Sequence, residues 1–241
     1  MNVQGDSQAA SVLSPNINFY ILADTSPSMA LAATTAGINL LESNTPGQWG
    51  AQPGCAFACH EQDPSQDGLN NPGGPKQDNY ALARQLGVPL RIDNVKEAVK
   101  SFAMTAVAAQ SKNNATYNIA IYTFDSYFKT IASMTTPAAA AAAASNIQLL
   151  ELRKRNILMD GTNSGDSDTL SQIAFSTMNS IIPSPGDGSA KGPKEFLLII
   201  TDGIEDDAVT GLMDTSMCTT MKNRNIQIGV VYTTYFPIPG F

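Results

Sequence analysis

Four short runs most constrain the fold of this 241-residue chain: "NINFYILA" (Asn16 to Ala23), "YNIAIYTF" (Tyr117 to Phe124), "EFLLIIT" (Glu195 to Thr201) and "IQIGVVYTT" (Ile226 to Thr234). They are rich in β-branched and aromatic residues, and several have no polar face. A strand without a polar face is buried on both sides, as in a parallel sheet covered by helices. The intervening sequence has helical spacing at Ile92, Val95, Val99, Phe102 and Ala106, and again at Leu170, Ile173, Ala174, Met178, Ile181 and Ile182. Seven alanines, Ala138 to Ala144, follow Thr136 and Pro137, a cap and a first-turn residue, and are expected to form a helix. "YFKTIASM" after Phe124 is expected to be an edge strand, antiparallel to its neighbour. The expected fold class is therefore α/β, a doubly wound, mostly parallel sheet of Rossmann-like type with one antiparallel edge strand.

In such sheets, sites form at the carboxyl ends of the strands, where the connecting loops converge. Asp24, Ser26 and Ser28 leave the end of the first run in "DTSPS", and Asp202 follows "EFLLIIT". The loop "MDGTNSGDSD", before a helix expected to begin near Ser167, offers Thr162. These are hard oxygen donors, with no imidazole or thiolate among them. Such a set favours Mg²⁺, Mn²⁺ or Ca²⁺ over zinc. Helix capping alone would explain Asp24 and Ser26, but caps need no partners in other loops. Glu205, Asp206 and Asp207 are expected to form a solvated face. "DGTNSGDSD" lacks the glutamate an EF-hand has at its twelfth position.

With that order and context, the chain resembles the von Willebrand factor type A (vWA) domain and its metal-ion-dependent adhesion site, over about Asn16 to Thr234. The resemblance implies that Asp24, Ser26, Ser28, Thr162 and Asp202 hold one Mg²⁺ (or Mn²⁺ or Ca²⁺), and that a partner protein supplies an acidic side chain as a further ligand. "GCAFACH", "LRIDNVKEAV" and "VVYTTYFPIP" are similar to the vWA domain of TadG-like proteins of bacterial tight-adherence pilus systems. That likeness implies pilus assembly or adhesion at the bacterial cell envelope. In those relatives a membrane helix anchors an extracytoplasmic domain, whereas no apolar run in this chain approaches the ~20 residues of a bilayer span.

No evident nucleophile or general base accompanies the oxygen set, so a non-enzymatic binding module is expected. Three other classes share parts of the pattern, one of them a purely structural envelope protein that keeps the fold with a vestigial site and shows no metal-dependent binding. An intracellular vWA module that recruits substrates to a chelatase or AAA+ machine would use the same five residues. A metal-dependent hydrolase would need Asp160, Asp166 or Asp168 as a base. Nucleic acid is not expected as a partner, because the net charge is −7 and the only basic cluster is "RKR" at Arg153 to Arg155.

Residues 1–15 read as a lead-in and 16–241 as the domain. An insertion at 30–90 begins with an expected short helix, "MALAATTAGINLL", and is loop-like from Ser43 to Asp78. It carries Trp49 and the sequence Cys55-x-x-x-Cys59-His60. Haem attachment needs a spacing one residue shorter, and a zinc site lacks a fourth ligand. A Cys55–Cys59 disulfide is the preferred reading and would suit an oxidising compartment. The vWA resemblance further implies a sixth strand and closing helix beyond "IQIGVVYTT", expected to be missing here together with a mate for Cys218.

Overall fold

The computed structural model describes residues 14–48, 54–64, 77–154, 157–162, 169–203 and 215–233. Its sheet contains β1 (Ile17–Asp24), β2 (Tyr117–Phe124), β3 (Phe128–Thr135), β4 (Lys194–Thr201) and β5 (Gln227–Tyr232), in the spatial order β3-β2-β1-β4-β5. All pairings are parallel except β2 with β3. The mixed α/β, mostly parallel sheet with one antiparallel edge strand is the architecture expected from the buried runs.

Because β1 lies in the middle of the sheet, its alternating side chains enter two separate cores. Ile21 and Ala23 face one layer, with Ile92, Val95 and Val99 of α3 (Arg91–Asn113) and Ala140 of α4 (Pro137–Ala143). Tyr20 and Leu22 face the other, with Ala174, Phe175 and Met178 of α5 (Ser171–Ile181) and Met221 of α6 (Ser216–Asn223). The alanine run is a helix, as expected. Thr136 caps it by accepting from Ala139 N, and Ala140 and Ala144 are fully buried. The α5 helix begins at Ser171, four residues later than the expected start at Ser167; residues 163–168 lie outside the described set.

The 30–90 insertion is more ordered than its composition suggests. Its first helix, α1 (Thr35–Asn44), begins six residues later than Met29, because Thr34 caps it and Leu31 and Ala32 instead form bridges to Phe57 and Leu90. A second helix, α2 (Asn79–Leu86), was not expected. Asp78 caps it and Gly87 ends it in the left-handed conformation at φ 67°, a start and stop signal that was legible in the sequence. Ala56, Ala58, Ala83 and Val88 join the α3 core, so the described parts of the insertion extend that core.

The β5 edge is exposed at Val230 (60%) and Tyr232 (56%). Residues 234–241, where a sixth strand was expected to be missing, lie outside the described set. No helix among the described residues is long and apolar enough to cross a membrane.

Candidate functional site

The carboxyl ends of β1 and β4 bring Asp24 and Asp202 together. Parallel pairing aligns Ala23 with Ile200, so the last residues of both strands emerge on one edge of the sheet. Each aspartate is 0% exposed. After Asp24 the chain turns into the short 3-10 segment Pro27–Ala30, with Ser26 extended in front of it. The turn folds both serine hydroxyls back toward the strand end. Ser26 donates to Asp24 Oδ1 from its backbone N–H (2.9 Å) and from Oγ (2.6 Å), and its Oγ lies 2.9 Å from Ser28 Oγ. Thr201 Oγ1 donates to the other oxygen, Asp24 Oδ2, at 2.7 Å, and accepts from Gly203 N at 2.9 Å. Gly203 has φ 76°, the left-handed region that favours glycine, and lies beside the Tyr232 ring.

The electrostatics of this edge are unusual. Burial, followed by the nearby charge of Asp202, pushes the Asp24 carboxyl up to about 7, against the pull of the hydrogen bonds from Ser26 and Thr201. Asp202 Oδ2 accepts from Arg91 Nη1 at 3.2 Å, and Arg91 is only 4% exposed. Two buried carboxylates, two hydroxyls in mutual contact and no imidazole or thiolate make a hard-oxygen set, the chemistry that suits Mg²⁺, Mn²⁺ or Ca²⁺. Among the described residues no group of three or more His, Cys, Asp or Glu side chains is placed to hold a metal. Any ion at this edge would therefore depend on the hydroxyls of Ser26 and Ser28 as well as on the carboxylates.

Thr162 bonds within its own loop. It is exposed, and its Oγ1 and N–H both donate to Asp160 Oδ1, at 2.6 and 2.8 Å. Those bonds hold the Asp160 carboxyl below the ordinary carboxylate range. Tyr127 OH reaches the same aspartate at 3.3 Å. Asp160 thus serves its own turn, while Asp166, Asp168, Glu205, Asp206 and Asp207 lie outside the described residues.

In the insertion, the histidine of the Cys-x-x-x-Cys-His sequence is anchored to the start of α2. His60 Nδ1 lies 3.0 Å from Asp78 Oδ2, and its ring stacks on Tyr80 at 4.3 Å. Asp78 also accepts from Glu61 N and Ala81 N. No disulfide joins Cys55 and Cys59. Phe57, between the two cysteines, bridges Leu31.

Sequence reasoning missed four residues that shape the site. Thr25 and Asp125 lock the site turn from behind: Thr25 Oγ1 lies 2.8 Å from Asp125 Oδ2, and Asp125 is itself fully buried. Thr201 holds Asp24, and Arg91 holds Asp202. Arg91 did leave a signal. A cation at the first position of a 23-residue helix opposes the helix dipole, and such a placement calls for an acidic partner.

No family model matches the chain, and no curated protein matches it. Three solved structures illustrate what it is similar to. The vWF domain of the type V pili tip protein Mfa5 from Porphyromonas gingivalis is 10% identical, with 80% of this chain and 40% of that chain covered and a TM-score of 0.40. The conserved hypothetical protein BatB from Bacteroides thetaiotaomicron is 13% identical, with 94% and 73% covered and a TM-score of 0.46. The PilB minor pilin from Streptococcus sanguinis is 14% identical, with 85% and 32% covered and a TM-score of 0.37. The chain thus spans less than half the length of the first and third of these.

Proposed function

We propose that this chain is a vWA-type, non-enzymatic binding module that recognises an acidic group on a partner protein through one bound Mg²⁺ or Mn²⁺. The observation that carries the reading is the pair of fully buried carboxylates, Asp24 and Asp202, on one sheet edge with the linked hydroxyls of Ser26 and Ser28. Arg91 stands on Asp202 alone, and a further cation would relieve the remaining cost of two desolvated acids side by side. Asp24, Ser26, Ser28 and Asp202 would hold the ion, with Thr162 as a fifth ligand once its hydroxyl leaves Asp160. When bound, the ion supplies a coordination position for a carboxylate from outside the domain.

What the chain's own residues contribute is orientation. Thr201 fixes one oxygen of Asp24, Ser26 fixes the other, and burial keeps water from competing. Adhesion or pilus assembly at the bacterial envelope, the role of the TadG-like proteins that the sequence resembles, is the setting we propose.

Calorimetric titration with Mn²⁺ tests the reading. The expected result is one site in the wild type and none in Asp202→Ala or Ser26→Ala, with both variants folded by circular dichroism. Equal Mn²⁺ uptake by wild type and Asp202→Ala would overturn it.

A further inference from the structure

We infer that Arg91 is a resident counter-cation of Asp202 at the Asp24–Asp202 edge, a charge with which a divalent ion must compete, and so the residue that sets how tightly this edge takes metal. The inference rests on the metal-binding reading above and concerns the strength of that same site. Arg91 opens α3, is 4% exposed, and places Nη1 3.2 Å from Oδ2 of the fully buried Asp202. A guanidinium is retained in such a position only when a carboxylate compensates its lost hydration. Asp202 in turn lies close enough to Asp24 for its charge to disfavour ionisation of that second acid. The Arg91 guanidinium thus stands on one member of a pair of neighbouring buried acids.

The same arrangement works against an incoming dication. An ion drawn to the two carboxylates also meets the guanidinium, in surroundings where water screens the repulsion poorly. Removing the arginine's charge should then move two measurements in opposite directions. The metal-free fold should weaken, because Asp202 loses this buried cation, while affinity for a divalent ion should rise. A contact that only orients Asp202 would lower both.

The experiment compares wild type, Arg91→Gln and Arg91→Lys by thermal melting in EDTA and by Mn²⁺ titration followed by calorimetry and by Mn²⁺ electron paramagnetic resonance. For Arg91→Gln the expected result is a melting temperature lower by about 5 °C or more in EDTA, with Mn²⁺ bound at least tenfold more tightly. Arg91→Lys keeps the charge and is expected to bind Mn²⁺ within threefold of wild type. Unchanged or weaker Mn²⁺ binding by a folded Arg91→Gln overturns the inference and leaves the metal site standing. If Arg91→Gln fails to fold, Arg91→Lys decides: a loss beyond tenfold means that the fork geometry, and not the charge, governs. Absence of Mn²⁺ binding in all three proteins overturns the metal reading itself.

Discussion

Thr25 Oγ1 donates to Asp125 Oδ2 across 2.8 Å of buried space, tying the residue between Asp24 and Ser26 to the turn that follows β2. The same carboxylate accepts from Tyr127 N at 2.8 Å and from Lys129 Nζ at 3.0 Å, while the Asp125 carbonyl accepts from Leu170 N at 3.1 Å. One side chain thus holds the site turn and the β2–β3 turn, and its backbone reaches the start of α5.

Truncating that hub should weaken the whole edge. Asp125→Ala leaves the Tyr127 backbone N–H without its acceptor, at about 1–3 kcal/mol, while the Thr25 hydroxyl keeps its bond to the Phe124 carbonyl at 3.2 Å. A loss of roughly 1–3 kcal/mol is expected in urea denaturation, with Asp125→Asn losing less because it keeps one carbonyl acceptor. A change below about 0.5 kcal/mol would mean that the turns are held elsewhere.

Acid–base behaviour follows from Asp24. Its carboxyl, ordinarily near 3.8, stands at about 7 in the folded chain, so the native state holds a proton that the unfolded state gives up. The metal-free protein should be most stable, with respect to this group, below pH 4 and lose stability as pH rises through about 7, by up to about 4 kcal/mol. Melting temperatures in EDTA between pH 5 and 8 should fall for wild type and stay flatter for Asp24→Asn. A wild-type profile as flat as that of the variant would contradict this account.

Asp78 carries the opposite sign. Burial pushes its carboxyl up, but the bonds from His60, Ala81 N and Glu61 N outweigh that and leave it below the ordinary 3.8. Its stabilisation is present above about pH 4 and fades as pH falls through the lowered value. Asp78→Ala removes the cap of α2 and the anchor of His60, and should cost about 2–3 kcal/mol at pH 7. Limited proteolysis should then cut first within residues 54–90; an unchanged cleavage pattern would show that the insertion is held by its apolar contacts alone.

The strands, the parallel sheet and helices α3, α4 and α5 were legible in the amino-acid order, because burial on both faces leaves a run with no polar side; α6 was not. Asp24 and Asp202 were legible as well, since each ends such a run and parallel strands deliver their ends to one edge. The β3 edge strand and the alanine helix followed from local chemistry, the latter from Thr136 and Pro137. Tertiary structure decided everything that depends on side chains meeting across long separations. Arg91 reaches Asp202 over 111 positions and Thr201 reaches Asp24 over 177, distances at which periodicity and capping carry no information. It also decided the insertion, where Gly, Pro and Asn read as loop, yet Ala56 and Ala58 are small enough to enter the α3 core and Asp78 gathers three donors from two segments. Local sequence specifies which backbone conformation each segment prefers; which buried charge faces which other is set only when the sheet brings the strand ends together.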